Sequence, residues 1–118
     1  MRRGARPGDW EVLPLPVSRA VLEYHRTLDP TRTARVRDGV VPQQMEDKWF
    51  IVEDRGILWF HRSWTGFCIF AVGLKPLPDG GCVLGPVEVN RDASQYGSQN
   101  AQQDIQLLDD LIDGILTH

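Results

Sequence analysis

Cysteine and histidine are scarce in this 118-residue chain, and no stretch of it is uniformly apolar. Three histidines, His25, His61 and His118, show no metal-ligand spacing, and no cysteine pair is arranged for zinc. The two cysteines, Cys68 and Cys82, read as partners in one hairpin turning near Pro78. Cys68 then lies near its open end and Cys82 near its turn, roughly 20 Å apart and beyond disulfide reach. They are expected to be reduced core thiols in a reducing, cytoplasmic compartment. No run approaches the roughly 20 apolar residues that span a bilayer. The basic start, Met1 to Asp9, lacks the apolar stretch of a secretion signal. An excess of one charge is missing too, with 13 Lys and Arg against 16 Asp and Glu. Residues 1–48 carry nine cations and seven acids, whereas residues 49–118 carry four and nine. That mild asymmetry gives neither the basic face of a nucleic-acid protein nor a membrane-surface helix. No cofactor, membrane or nucleic-acid partner is expected.

What is present is aromatic weight in one place. Of four tryptophans, Trp49, Trp59 and Trp64 fall within sixteen residues. Around them lie four β-rich runs. Residues 48–53 and 57–62 flank Asp54-Arg55-Gly56, residues 67–72 follow Ser63-Trp64-Thr65-Gly66, and residues 82–89 follow Pro78-Asp79-Gly80-Gly81. Pro86 places the fourth run at an edge or on a bulge. Asn100 is a suitable helix cap before the stripe Ile105, Leu108, Leu111, Ile112, Ile115 and Leu116, with Asp104, Asp109 and Asp110 facing solvent. Upstream, Val17, Ala20, Val21, Tyr24 and Leu28 recur at helical intervals after Pro16. The expected fold is therefore α+β: a four-stranded antiparallel meander, a C-terminal helix on one face and a short N-terminal helix. Residues 1–15 are expected as a flexible arm and 16–118 as one domain. That domain comprises the helix, a linker at 29–46, strands within 47–90 and a helix at about 100–117.

Centring each hairpin on its turn pairs Phe50 with Phe60, Leu58 with Phe70 and Trp49 with His61. Alternation then puts Phe50, Val52, Leu58, Phe60, Cys68, Phe70, Val72, Val83 and Val87 on the helix-covered face. Trp49, Ile51, Trp59, His61, Phe67, Ile69 and Leu84 fall on the other. That second face is too apolar to stay bare, so the N-terminal helix, a partner subunit or a ligand must cover part of it.

The topology also gathers polar residues at one end of the sheet: Lys48, His61, Arg62, Ser63, Trp64, Thr65, Asn90 and Arg91. Arg offers a planar fork of donors and Trp a π face, which together suit a phosphate or a base. Each residue also has a plain structural role open to it. Arg62 can pair with Asp92 or Glu88, Trp64 can plug a loop, and His61 can be a satisfied core histidine. No catalytic template is met, so no catalytic or metal-binding residue is assigned. Ser63 has no third group to orient His61, Cys68 sits mid-strand, and Gly80-Gly81 is followed by no Lys-Ser/Thr.

The runs Asp47 to Asp54 and Leu58 to Ile69, with Asn90-Arg91-Asp92, Tyr96 and the terminal Leu/Ile helix, carry a resemblance. The chain resembles, over about residues 45–116, a family of small bacterial proteins with a Lys-Trp-Phe and His-Arg-Ser-Trp-Thr-Gly signature. Similar segments occur with ADP-ribosylglycohydrolase or macro-type domains. The resemblance implies an accessory or recognition module linked to ADP-ribose or NAD chemistry. Two readings follow. One is a binding module for a phosphorylated or nucleotide-like ligand, using the end-of-sheet cluster. The other is a homodimer or protein-interaction domain, using Trp49, Trp59, His61 and Phe67. A third, a small enzyme with His61 as general base, rests on the imidazole alone.

Overall fold

The computed structural model describes residues 4–117. Eight elements follow in order: β1 (Arg19–Leu22), β2 (Arg26–Leu28), α1 (Pro30–Asp38), β3 (Trp49–Asp54), β4 (Ile57–Arg62), β5 (Cys68–Pro76), β6 (Cys82–Asn90) and α2 (Ala101–Leu116). The class is α+β, and β3 to β6 form the expected antiparallel meander. The sheet has six strands rather than four, because β1 and β2 both pair with the outer side of β6.

Those two strands replace the expected N-terminal helix. Val17 and Val21 are 95% and 65% exposed, so their helical spacing marks no buried stripe. A row of unpaired donors and acceptors along β6 outweighs so weak a pattern. The helix lies instead at residues 30–38, inside the segment read as a linker. Asp29 caps it by accepting from the Arg32 amide at 2.8 Å, and Pro30 occupies its first turn. Pro30 thus starts a helix rather than ending one. Only Thr33 and Val36 of α1 are buried, which explains its faint period.

The β3–β4 turn resets the register. Arg55 and Gly56 both have positive φ, 56° and 77°, so the loop is two residues long and Asp54 pairs with Ile57. Phe50 then faces His61, Ile51 faces Phe60 and Trp49 faces Arg62, one residue off the expected pairing. A one-residue slip moves every side chain of a strand to the other face. Trp49 and Ile51 therefore join the α2 side, while Phe50 and Val52 leave it. Two further irregularities break the alternation. A shift between Phe60 and His61 pairs Phe60 with Phe70 and His61 with Cys68, placing Ile69 with the main core and Cys68 opposite it. In β6 an extra residue at Gly85-Pro86 lets Leu84 and Val87 face the same core. Pro86 marks a bulge, as expected, but on an inner strand.

α2 closes the first face with Leu108, Ile112 and Ile115, and Asn100 caps it by accepting from the amides of Gln102 and Gln103. Tyr24 Oη donates to Asp109 at 2.6 Å, and Arg26 bonds Asp113 at 2.7 Å. These contacts tie the helix to the β1–β2 edge. Of residues 1–15, expected as a flexible arm, 1–3 lie outside the described residues, and 4–15 lack regular structure but cover part of the second face. Trp10 stacks on Phe50 at 6.3 Å, the Leu13 amide donates to Gly66, and Leu15 packs on Cys68 and Ala71. Cys68 and Cys82 are buried and free. No described helix is long and apolar enough to cross a membrane.

Candidate functional site

The polar residues expected at one end of the sheet do collect there, but most are committed to holding the chain. Arg91 donates to a carboxylate oxygen of Asp104 at 2.5 Å and to the carbonyls of Asn90 and Ser98. Asp104 is fully buried, not solvent-facing as its place on the helix suggested, and it also accepts from Tyr96 Oη at 2.6 Å. Burial and that bond push the Tyr96 hydroxyl up to about 12. Asn90, also fully buried, donates to the carbonyl of Cys68 and to Gln95, and accepts from the Asp92 amide. Ser63 Oγ donates to the Asp47 carbonyl at 2.7 Å, and Thr65 Oγ1 accepts from the Phe67 amide. These are turn and anchor contacts.

Three residues of the cluster keep functional groups near the surface. Arg62 pairs with neither Asp92 nor Glu88. Its guanidinium sits 5.0 Å from the Trp49 ring centroid, a cation–π arrangement. Trp64 is 73% exposed and not a plug, with its indole N–H bound to the Met45 carbonyl at 3.0 Å. Lys48 is exposed. His61 is buried, its Nδ1 3.2 Å from the Gly66 carbonyl. Burial strips water from the imidazolium and lowers its pKa, and the bond to Gly66 offsets part of that. Burial likewise pushes the Cys68 thiol up to about 12, leaving it a poor nucleophile. The four residues expected to form one interface do not share a surface. Trp49 stacks near Phe70 at 6.4 Å and Phe67 packs on the main core, while Trp59 and His61 lie on the arm side. The two-residue β3–β4 turn moves Trp49 to the helix side, and the register shift between Phe60 and His61 moves Phe67 there.

Lys48 and Trp49 instead line a groove of about 750 Å³ between the end of α1, the 40–48 loop, the start of β3 and the second half of α2. Its apolar wall is Trp49, Ile51, Leu111 and Ile115. Its rim carries Arg35 and Lys48 alongside Asp38, Glu46 and Asp47. Gly39 makes this shape. It has φ 63°, and a Cβ there would strike the Ile51 carbonyl, so only glycine lets the chain leave α1 and bridge Val40 to Ile51. Little in the sequence marks most of the groove, because α1 buries only Thr33 and Val36 and so shows no clear helical stripe. The Asp29-Pro30 start signal is the clue that could have revealed it. Among the described residues no group of His, Cys, Asp or Glu could hold a metal ion. In comparison with known proteins, the chain matches no family model, no curated protein and no solved structure.

Proposed function

We propose that this protein is a small binding module that takes a nucleotide-like ligand, a planar ring system bearing an anionic arm, in the groove between α1, α2 and β3. The observation that carries this reading is the pairing of an apolar wall containing Trp49 with Arg35 and Lys48 at its rim. A groove of about 750 Å³ lies within the usual range for small-molecule sites. Arg supplies a planar fork for phosphate and Lys a mobile point charge. The three carboxylates on the same rim oppose a highly charged anion. They favour a ligand of low negative charge, such as a monophosphate or an ADP-ribose-like diester, over a triphosphate.

A thermal-shift screen of the full chain against mononucleotides, NAD, ADP-ribose and ATP tests the reading. A ligand at 100 times its dissociation constant adds about 2.7 kcal/mol, several degrees for a domain of this size. Lys48→Glu should remove the shift, and Leu111→Trp should block the groove for every ligand. A shift that survives both substitutions would place the ligand elsewhere, and no shift from any compound would remove the reading.

The alternative, a protein-interaction domain, draws support from Trp64 and Met45. These residues are 73% and 74% exposed, and the Trp64 indole N–H donates to the Met45 carbonyl. Rigid exposed aromatics are frequent anchors at interfaces. Light scattering that shows a dimer, lost in Trp64→Ala, would favour this role.

A further inference from the structure

On the arm side of the sheet, residues 7–14 do not lie flat against the strands. A second groove of about 310 Å³ runs between them. Val12, Leu13 and Pro14 form one wall, and Phe50, Val52 and Trp59 form the other. His61 also lines it and is only 5% exposed.

The hydrogen bonding of His61 fixes what its ring offers. A carbonyl oxygen can only accept, so Nδ1, 3.2 Å from the Gly66 carbonyl, carries the proton. In the neutral ring Nε2 is then a bare acceptor. Nε2 has no hydrogen-bond partner among the described residues, and no buried side-chain nitrogen or oxygen there is unsatisfied. Its lone pair must therefore reach open space, and the groove that His61 lines provides it. An apolar cleft with one well-placed polar atom is the usual composition of a small-molecule site, with the walls giving affinity and the polar atom orientation. The burial of the ring keeps it uncharged near neutral pH, which preserves the acceptor.

We propose that this groove binds a small neutral aromatic molecule carrying one O–H or N–H donor, its ring held against Phe50, Val52 and Trp59 and its donor hydrogen-bonded to His61 Nε2. A cavity of about 150 Å³ accepts benzene, so this groove has room for one or two rings. It offers no cationic side chain to an acid. Its one carboxylate, Asp54, would repel an anion. The site is separate from the groove between α1, α2 and β3, and either can exist without the other.

The test titrates the full chain with p-cresol and indole, and with p-xylene and N-methylindole as partners of similar shape that lack the donor, following backbone amide NMR shifts. The expected result is saturable shifts centred on Phe50, Trp59 and Gly66, with p-cresol binding at least tenfold tighter than p-xylene. His61→Phe should erase that preference while leaving weak ring binding. Leu13→Trp should abolish binding of all four compounds, and Leu111→Trp should change nothing. Equal affinity for p-cresol and p-xylene, shifts centred away from this face, or no saturable binding would overturn the proposal. A ¹⁵N spectrum of the unmodified protein gives a check independent of any variant. It should show the Nδ1–H form of His61 at pH 7.5, and the Nε2–H form would overturn the proposal as well.

Discussion

At the scale of single residues, Arg91 and His61, both members of the end-of-sheet cluster, are governed by burial. Arg91 and Asp104 form the most enclosed ion pair described, with side chains 14% and 0% exposed. Such a pair is weak evidence of net stabilisation, yet removing one partner leaves an uncompensated buried charge at a cost of about 3–5 kcal/mol. Asp104→Ala should therefore lower the stability measured by urea denaturation by about 3 kcal/mol. It should also loosen the Tyr96 ring, whose hydroxyl loses its acceptor. A loss below about 1 kcal/mol would show that Arg91 reaches water once freed. His61 gives a pH dependence with a definite sign. Its folded pKa lies below its unfolded value near 6.5. The unfolded chain therefore binds the proton more readily, and stability is full above about pH 6.5 and declines as pH falls through and below that value. Urea midpoints between pH 7.5 and 5 should fall more steeply in the unmodified protein than in His61→Gln, and parallel curves would exclude the effect.

At the scale of elements, what was legible is what repeats, and what was missed depends on a single residue. The meander and α2 stood out because each buries a long periodic stripe, and Asn100 caps α2 as its sequence implies. β1 and β2 carry only four and three residues, too few to show a period of two, and their stability comes from the waiting edge of β6. The faces of β3 were inverted by a turn one residue shorter than the sequence suggested. The bulge at Gly85-Pro86 then shifted Leu84 by the same logic. The strand pairing puts the polar residues at one end of the sheet. Which of them were free could not be read, because Asp104 and Asp47 reach Arg91 and Ser63 from other segments. The turn itself can be tested. Arg55 holds φ at 56° at a cost that glycine and asparagine largely avoid. Arg55→Asn should raise stability by about 0.5–1 kcal/mol, and Gly56→Ala should lower it by about 1 kcal/mol, both read from thermal midpoints. No gain from Arg55→Asn would mean that the arginine side chain contributes an offsetting contact.

At the scale of the whole molecule, the sheet has one helix-covered face and one face covered by irregular chain, and the two are secured differently. α2 buries a continuous stripe on the main core. The arm holds by a few points: Trp10 on Phe50 with its indole N–H on the Ser63 carbonyl, the Leu13 amide on Gly66, and the Ala5 amide on Asp38. Both sheet edges are modest. Val40 bonds both backbone groups of Ile51 on the β3 side, and the β6 side is closed by two short strands. The arm-side face is therefore the part of the fold most open to disturbance. Removing residues 1–13 takes away the half-buried Trp10 and uncovers Phe50, Val52 and His61. At about 25 cal/mol per Å², roughly 100 Å² of lost apolar burial amounts to about 2.5 kcal/mol. The truncated chain should keep its far-ultraviolet circular dichroism, because every strand and both helices lie beyond residue 18. It should unfold at a urea concentration lower by the equivalent of about 2–3 kcal/mol, bind a hydrophobic dye, and lose any binding of p-cresol, since Leu13 and Val12 form one wall of that groove. An unchanged midpoint would mean that the arm rests on the sheet without stabilising it.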